Sequence, residues 1–558
     1  MPFVTDDRRL APEPYLARTD LIAAPSPATQ PTRLATLARI AVIAGVVAGI
    51  GLRVYHYARS PSLWVDEAML ALNVVHKPYT ELLQPLDLNQ GAPVGYLLAS
   101  RAVTKVFGSG EYALRGLSVV AGLAGLLLFV PLAYRAVSVP AARVAVGLFA
   151  LSPFLVGYSA EFKQYGLDAT IAVGLMLLGL PVWRSGATRE LGDDRLAGQA
   201  VPDTSSGSVK HSLTYEKRDR GRLVGLAAAG AAAVWFSHPA AFVLGGVGLA
   251  MLADAAARRD RAALVARLLA VGAWAASFGA CYLLFTRKLG MNQYLLDYWA
   301  GKFMPLPPHR PGHFAWVVHH FFEAFNTPGG FNTTAVAAGG LAGVLYLIGA
   351  VWLARTDWRL LVALATPLVL AMLASGLHKY PFANRLLLFA VPGLLLVVAA
   401  GAWQVMSRLS VGLPGAGLVV LATLFAAPVA ECHWQLKRPI HAEDTRTAVA
   451  HAHAGWQPGD RAYVFYGAAA GFAYYQDRYP FPREGVAFGV ENRGKDHSQF
   501  RRELEPFRGA RRVWVIVAHR QTSEEAALKA YLESMGRCED TVRLTDAVVW
   551  RYDLSGKK

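Results

Sequence analysis

The chain has 558 residues, 54% of them hydrophobic and 17% charged, with a net charge of +16 and a mean hydropathy of +0.31. Soluble domains carry about 25% charged residues. Here apolar runs of about 17–25 residues, long enough to cross the hydrocarbon of a bilayer, recur from residue 34 to residue 429. An ordinary soluble protein is excluded, and so is a basic nucleic-acid binder, because the Lys and Arg residues lie in short segments between apolar runs and form no separate domain.

Residues 1–33 are polar and rich in Pro and Ala, with Arg8, Arg9, Arg18 and Arg33. They lack an apolar stretch followed by a small-residue cleavage site, so a disordered cytoplasmic tail is expected rather than a cleaved signal. Eleven membrane helices follow, at 34–53, 112–136, 141–158, 168–184, 222–236, 240–256, 262–286, 335–354, 359–376, 386–405 and 410–429. With the N-terminus inside, the inner loops hold Arg135 and Arg143, the basic loop 185–221, then Arg258, Arg259 and Arg261, Arg355 and Arg359, and Arg408. That is the positive-inside bias. The long segments 54–111 and 287–334 then lie outside. Segment 91–107 is apolar but carries Arg101 and Lys105, and counting it as a span would put every later basic loop outside; it reads as an amphipathic interfacial helix.

From 430 the pattern changes. Compact apolar runs at 461–467, 511–519 and 546–554 read as strands, and 522–535 opens with a helix-start signature. The fold class is a polytopic α-helical membrane protein, its transmembrane domain spanning 34–429, with a small α/β domain at 430–558 on the outer side of a plasma (inner) membrane. Three cysteines give no framework: Cys281 is in an apolar run, and Cys432 and Cys538 have the option of pairing.

Four polar constellations gather at outer helix ends. Asp66 and Glu67 follow a Pro-Ser turn, where Asp66 is read as a cap for the next helix, as a base for an acceptor hydroxyl, or as both. Glu161, Lys163, Tyr165 and Asp168 sit at the mouth of the fourth span, where a buried acid needs a partner or a wet cavity. His378, Lys379 and Arg385 form a cationic collar around Tyr380, suited to a phosphate or to lipid headgroups. The loop 287–334 mixes aromatics with Lys302 and with His309, His313, His319 and His320, whose spacing matches no standard metal site. His238 lies in another outer turn.

The ordered set WVDEAMLALN (64–73), GAPVGYLL (91–98), FGSGEYALRG (107–116), YSAEFKQYGLDAT (158–170) and YPFANRLLLF (380–389) resembles the GT-C glycosyltransferases. The likeness is to the bacterial aminoarabinose transferases and protein O-mannosyltransferases of the family-39 type, and it covers roughly residues 34–405. It implies a hexosyl- or pentosyltransferase that takes a polyprenyl-phosphate sugar donor and a lipid, glycan or protein acceptor. No cofactor is expected to be required, because phosphate leaves readily, although some members of the family use a divalent metal. Asp66, with Glu67 beside it, maps to the acid of the first outer loop, and Asp168 to that of the second. Lys163, Arg385, Lys379 and Lys302 are the expected phosphate ligands; Tyr165, Glu161, His238, Tyr380 and His378 are expected in the substrate pocket. One departure stands out: aminoarabinose transferases place a phosphate-contacting lysine where this chain has Gln90, Gly91 and Ala92. A transporter or flippase of lipid-linked saccharide is the main alternative, though transporter sites lie near the midplane between internal repeats, and no repeat is visible. A scaffold for the outer domain is the third reading.

Overall fold

The computed structural model describes residues 33–197, 207–333, 336–413, 415–438, 443–491, 497–520 and 522–556. The expected N-terminal tail, to residue 32, and the middle of the 185–221 loop lie outside the described residues.

Nine described helices are long and apolar enough to cross a membrane: Ala35–Arg59, Glu111–Ala136, Tyr165–Arg184, Ala240–Ala257, Arg261–Leu289, Gly339–Thr356, Trp358–Gly376, Asn384–Leu409 and Ala416–Lys437. The chain is a multi-pass membrane protein. Asn384–Leu409 is the central span, with 89% of its most apolar stretch buried. It meets Gly339–Thr356 backbone to backbone: a Cβ on Gly349 would fall 2.1 Å from the Val397 carbonyl oxygen, and one on Gly401 1.9 Å from that of Leu345. Small residues permit that approach where lipid supplies no hydrophobic drive between helices.

The two other expected spans are helical with different bounds. Segment 141–158 breaks after Ala150, because Pro153 excludes its predecessor Ser152 from the helical region. Segment 222–236 is the end of the helix Gly207–Phe236. The last span runs to Lys437 and carries Cys432 inside it; all three cysteines are free. The amphipathic segment is a helix, Val94–Phe107, whose Arg101 is buried and donates to the Val74 and Val75 carbonyls at 3.0 and 2.6 Å. A cation there satisfies the open C-terminal carbonyls of the helix Val65–His76.

The C-terminal domain is a five-stranded mixed sheet. Its strands are β1 Arg461–Val464, β2 Val486–Phe488, β3 Val513–Ala518, β4 Arg537–Leu544 and β5 Ala547–Asp553, in the order β2-β1-β3-β5-β4. β2, β1 and β3 are parallel; β5 and β4 close the sheet antiparallel. Helices cover both faces, with separate cores around Trp550 and Phe472. The domain docks on the segment that begins the helix Val65–His76. Tyr475 Oη accepts the Leu63 N–H at 2.8 Å and contacts Glu111 at 3.1 Å, and Arg446 pairs with Glu111 at 2.9 Å.

Candidate active site

Four turns at one end of the bundle open on a single cavity of about 500 Å³. They lead into Val65–His76, into Tyr165–Arg184, into Ala240–Ala257, and from Trp358–Gly376 into Asn384–Leu409. The opposite ends of two of these helices carry the basic cluster, in which buried Asp254 is held by Arg258, Arg267 and Arg359 at 2.6–2.8 Å.

Asp66 does not cap its helix. The N-cap is Trp64, whose N–H is taken by Glu67 Oε2 at 3.3 Å, and the Val65 N–H goes to Glu443 Oε2 of the C-terminal domain at 2.9 Å. Asp66 instead lines the cavity and accepts from Arg385 Nη2 at 2.6 Å. Arg385 stacks over the Trp64 and Tyr165 rings at 5.5 and 5.7 Å, a cation–π seat that fixes the guanidinium. Lys163 is 4% exposed, and its Nζ donates to Gln90 Oε1 at 2.8 Å. Burial pulls its ammonium below the ordinary lysine value. The cation therefore stands beside the 90–92 segment, where the expected lysine is missing.

Tyr165, His238, His378, Lys379 and Tyr380 also line the cavity. Burial pushes His238 down to about 4, which leaves its ring neutral near neutral pH. Tyr380 spends its hydroxyl on the Leu386 carbonyl at 2.6 Å. The remaining expected residues sit elsewhere. Glu67 turns away into a fully buried clamp on Arg115. Asp168 is buried one turn along from Tyr165 with Oδ1 unbonded, and Glu161 is buried; neither lines the cavity. Lys302 is off the cavity, and its carbonyl receives Phe382 N–H at 3.0 Å.

The lining also takes in Gln90, from the segment that departs from the family pattern, and residues not proposed as site candidates from the sequence: Trp64, the aromatics Tyr282, Tyr298 and Trp299, and, from the C-terminal domain, Tyr466, Gly467, Glu491 and His519. The last four follow β1, β2 and β3, and the carboxyl ends of parallel strands are where open α/β sheets bind ligands; that rule was the available signal. His519 Nδ1 pairs with Glu443 Oε1 at 2.6 Å, which raises the imidazole above its usual value. Glu443, His519 and Asp546 are the group among the described residues whose donor atoms, within 4.8 Å of one another, have the chemistry to share a divalent cation.

No family model matches the chain, and no curated protein matches it in sequence. Among solved structures it is similar to ArnT from Cupriavidus metallidurans bound to undecaprenyl phosphate, with 12% identity and a TM-score of 0.49, over 92% of this chain and 98% of that one. It is also similar to the Archaeoglobus fulgidus oligosaccharyltransferase tethered to an acceptor peptide, with 12% identity and a TM-score of 0.49, over 93% of this chain and 74% of that one. The oligosaccharyltransferase AglB from Archaeoglobus fulgidus, in complex with an inhibitory peptide and a dolichol-phosphate, gives 12% identity and a TM-score of 0.48 over 93% of this chain and 74% of that one.

Proposed function

We propose that this protein is a membrane glycosyltransferase that moves a sugar from a polyprenyl-phosphate donor to an acceptor hydroxyl at the extracytoplasmic face. The observation that carries the reading is the Asp66 carboxylate sharing a cavity at the bundle's end with Lys163, Lys379 and Arg385. Cations at membrane-interface depth suit a lipid phosphate, and a neighbouring carboxylate suits removal of a proton from an incoming hydroxyl. The basic cluster at the far ends of the same helices supports the outward orientation, by the positive-inside bias.

Asp66 takes the acceptor proton as the hydroxyl oxygen bonds to the anomeric carbon, and the bond from that carbon to the phosphate oxygen breaks on the opposite face. One displacement inverts the centre. The polyprenyl phosphate leaves with the extra negative charge, which Arg385, Lys163 and Lys379 stabilise. Lys163 takes the place of the lysine missing at 90–92. Glu67 acts through the fold, by holding Arg115 and the entry to the helix that carries Asp66.

Replacing Asp66 by Asn preserves shape and removes basicity. In purified protein supplied with radiolabelled polyprenyl-phosphate sugar, transfer is expected to fall by about 10²–10⁴-fold, with binding of undecaprenyl phosphate retained. Transfer near the wild-type rate refutes Asp66 as base, and movement of the lipid across the bilayer without covalent transfer favours a flippase.

A further inference from the structure

We infer that the C-terminal domain is the acceptor-holding half of the cavity, with His519 its central contact to a hydroxyl-rich, non-anionic acceptor. This rests on the transferase reading above and extends it to a part of the chain which that reading leaves without a role.

The first observation is topological. All three parallel strands aim their carboxyl ends at the cavity: Tyr466 and Gly467 follow β1, Glu491 follows β2 and His519 follows β3. A sheet that only braced the bundle would have no cause to present this edge, which is the ligand-binding edge of open α/β sheets. The loops after β1 and β3 are pressed together there. A Cβ on Gly467 would lie 2.6 Å from the Ala518 carbonyl oxygen and 3.0 Å from His519 Cβ, so only glycine lets Tyr466 and His519 share one wall.

The second observation is how His519 is held. Glu443 bridges the two halves: Oε1 pairs with His519 Nδ1 at 2.6 Å, and Oε2 receives the Val65 N–H, one residue before Asp66, at 2.9 Å. The carboxylate fixes the imidazole's orientation, which leaves Nε2 as its working atom, as oriented histidines do elsewhere. The same carboxylate ties the imidazole to the turn carrying the base, so the acceptor's contact and the group that deprotonates it are set in one frame.

The third is the division of charge. Lys163, Lys379 and Arg385 all come from the membrane domain, whereas the C-terminal wall offers His519 with Glu443 behind it, Glu491, and the hydroxyl-bearing Tyr466, which donates to Glu524 at 2.7 Å. A second anion would be repelled from that wall, while sugar hydroxyls find donors and acceptors on it. The donor phosphate belongs with the cations and the acceptor with the acids.

The test uses the full-length protein with radiolabelled polyprenyl-phosphate sugar, and an envelope extract of cells lacking the gene as the acceptor source. For His519→Gln the apparent KM for acceptor should rise about tenfold or more, with the KM for donor and the affinity for undecaprenyl phosphate within about twofold of wild type. Glu491→Gln, at an exposed rim position, should move in the same direction without risk to the fold. Unchanged acceptor KM in both variants overturns the inference, as does a matching loss of undecaprenyl phosphate affinity, which would assign this wall to the donor. An inactive wild type facing both substrates removes the transferase reading itself, a result distinct from either of these.

Discussion

Replacing Glu67 by Ala removes a carboxylate with no solvent exposure that receives four hydrogen bonds: from Arg115 Nε at 2.8 Å, Arg115 Nη2 at 2.5 Å, Phe162 N at 2.5 Å and Trp64 N at 3.3 Å. Arg115 is itself 2% exposed and keeps only the Pro61 and Ser62 carbonyls. Breaking one side of a buried ion pair costs about 3–5 kcal/mol, mostly because the remaining charge is stranded. A loss of that size is a large part of the roughly 5–15 kcal/mol that holds a typical protein together. Equilibrium unfolding in mixed detergent and SDS micelles should register it. The double replacement Glu67→Met with Arg115→Met removes both charges together and should restore most of the loss, short by about 1–3 kcal/mol for each backbone N–H left without an acceptor. It should also keep its affinity for undecaprenyl phosphate, because neither side chain lines the cavity. Unchanged stability in the single variant refutes the clamp. A double variant that is stable and binds the lipid but transfers no sugar would return Glu67 to the chemistry.

Two further outcomes follow from charges elsewhere. Burial lowers the Lys163 ammonium, so its charge, and its grip on phosphate, is lost as pH rises, earlier than for an ordinary lysine. Affinity for undecaprenyl phosphate should therefore decline on an alkaline limb that Lys163→Met flattens, and an identical limb in both proteins rules this out. At the other end of the bundle, Asp254→Asn leaves Arg267, 7% exposed, without its carboxylate and should cost about 3–5 kcal/mol in unfolding assays. Lipid-phosphate affinity should not change, since Asp254 lies about 21 Å along the helix Ala240–Ala257 from the end that opens on the cavity.

The sequence shows what depends on composition and short-range pattern. Apolar runs mark the spans, and three of the five strands read as compact apolar segments. β4 went unseen because RCEDTVRL, an edge strand with alternating exposure, is mostly polar. The break at Ser152 was legible as Ser-Pro, yet the surrounding hydrophobicity masked it. Three of the four outer turns were identifiable because charges at apolar helix ends are costly and so carry meaning; the turn before Ala240 offered only His238. Which of two adjacent acids faces the cavity was not: Asp66 and Glu67 differ by about 100° around one helix, and only the positions of Arg115 and Arg385 decide it. Nor did local pattern point to His519, which reaches the cavity through a domain folded from the other end of the chain.

The pairing of Asp66 with Arg385 links the two ends of the proposed displacement. At 2.6 Å the guanidinium is bonded to the base. As Asp66 gains the acceptor proton it loses its charge and its claim on Arg385, at the moment the departing phosphate gains charge. Arg385, held over the Trp64 and Tyr165 rings, needs only a change of partner, and stabilisation grows with the transition state instead of being spent on the ground state. A lysine at 385 keeps the charge but loses the planar fork that serves two anions in turn. By this logic Arg385→Lys should bind undecaprenyl phosphate nearly as well as wild type and still transfer sugar more slowly. Equal losses in binding and turnover would mean that Arg385 holds the phosphate and does nothing more.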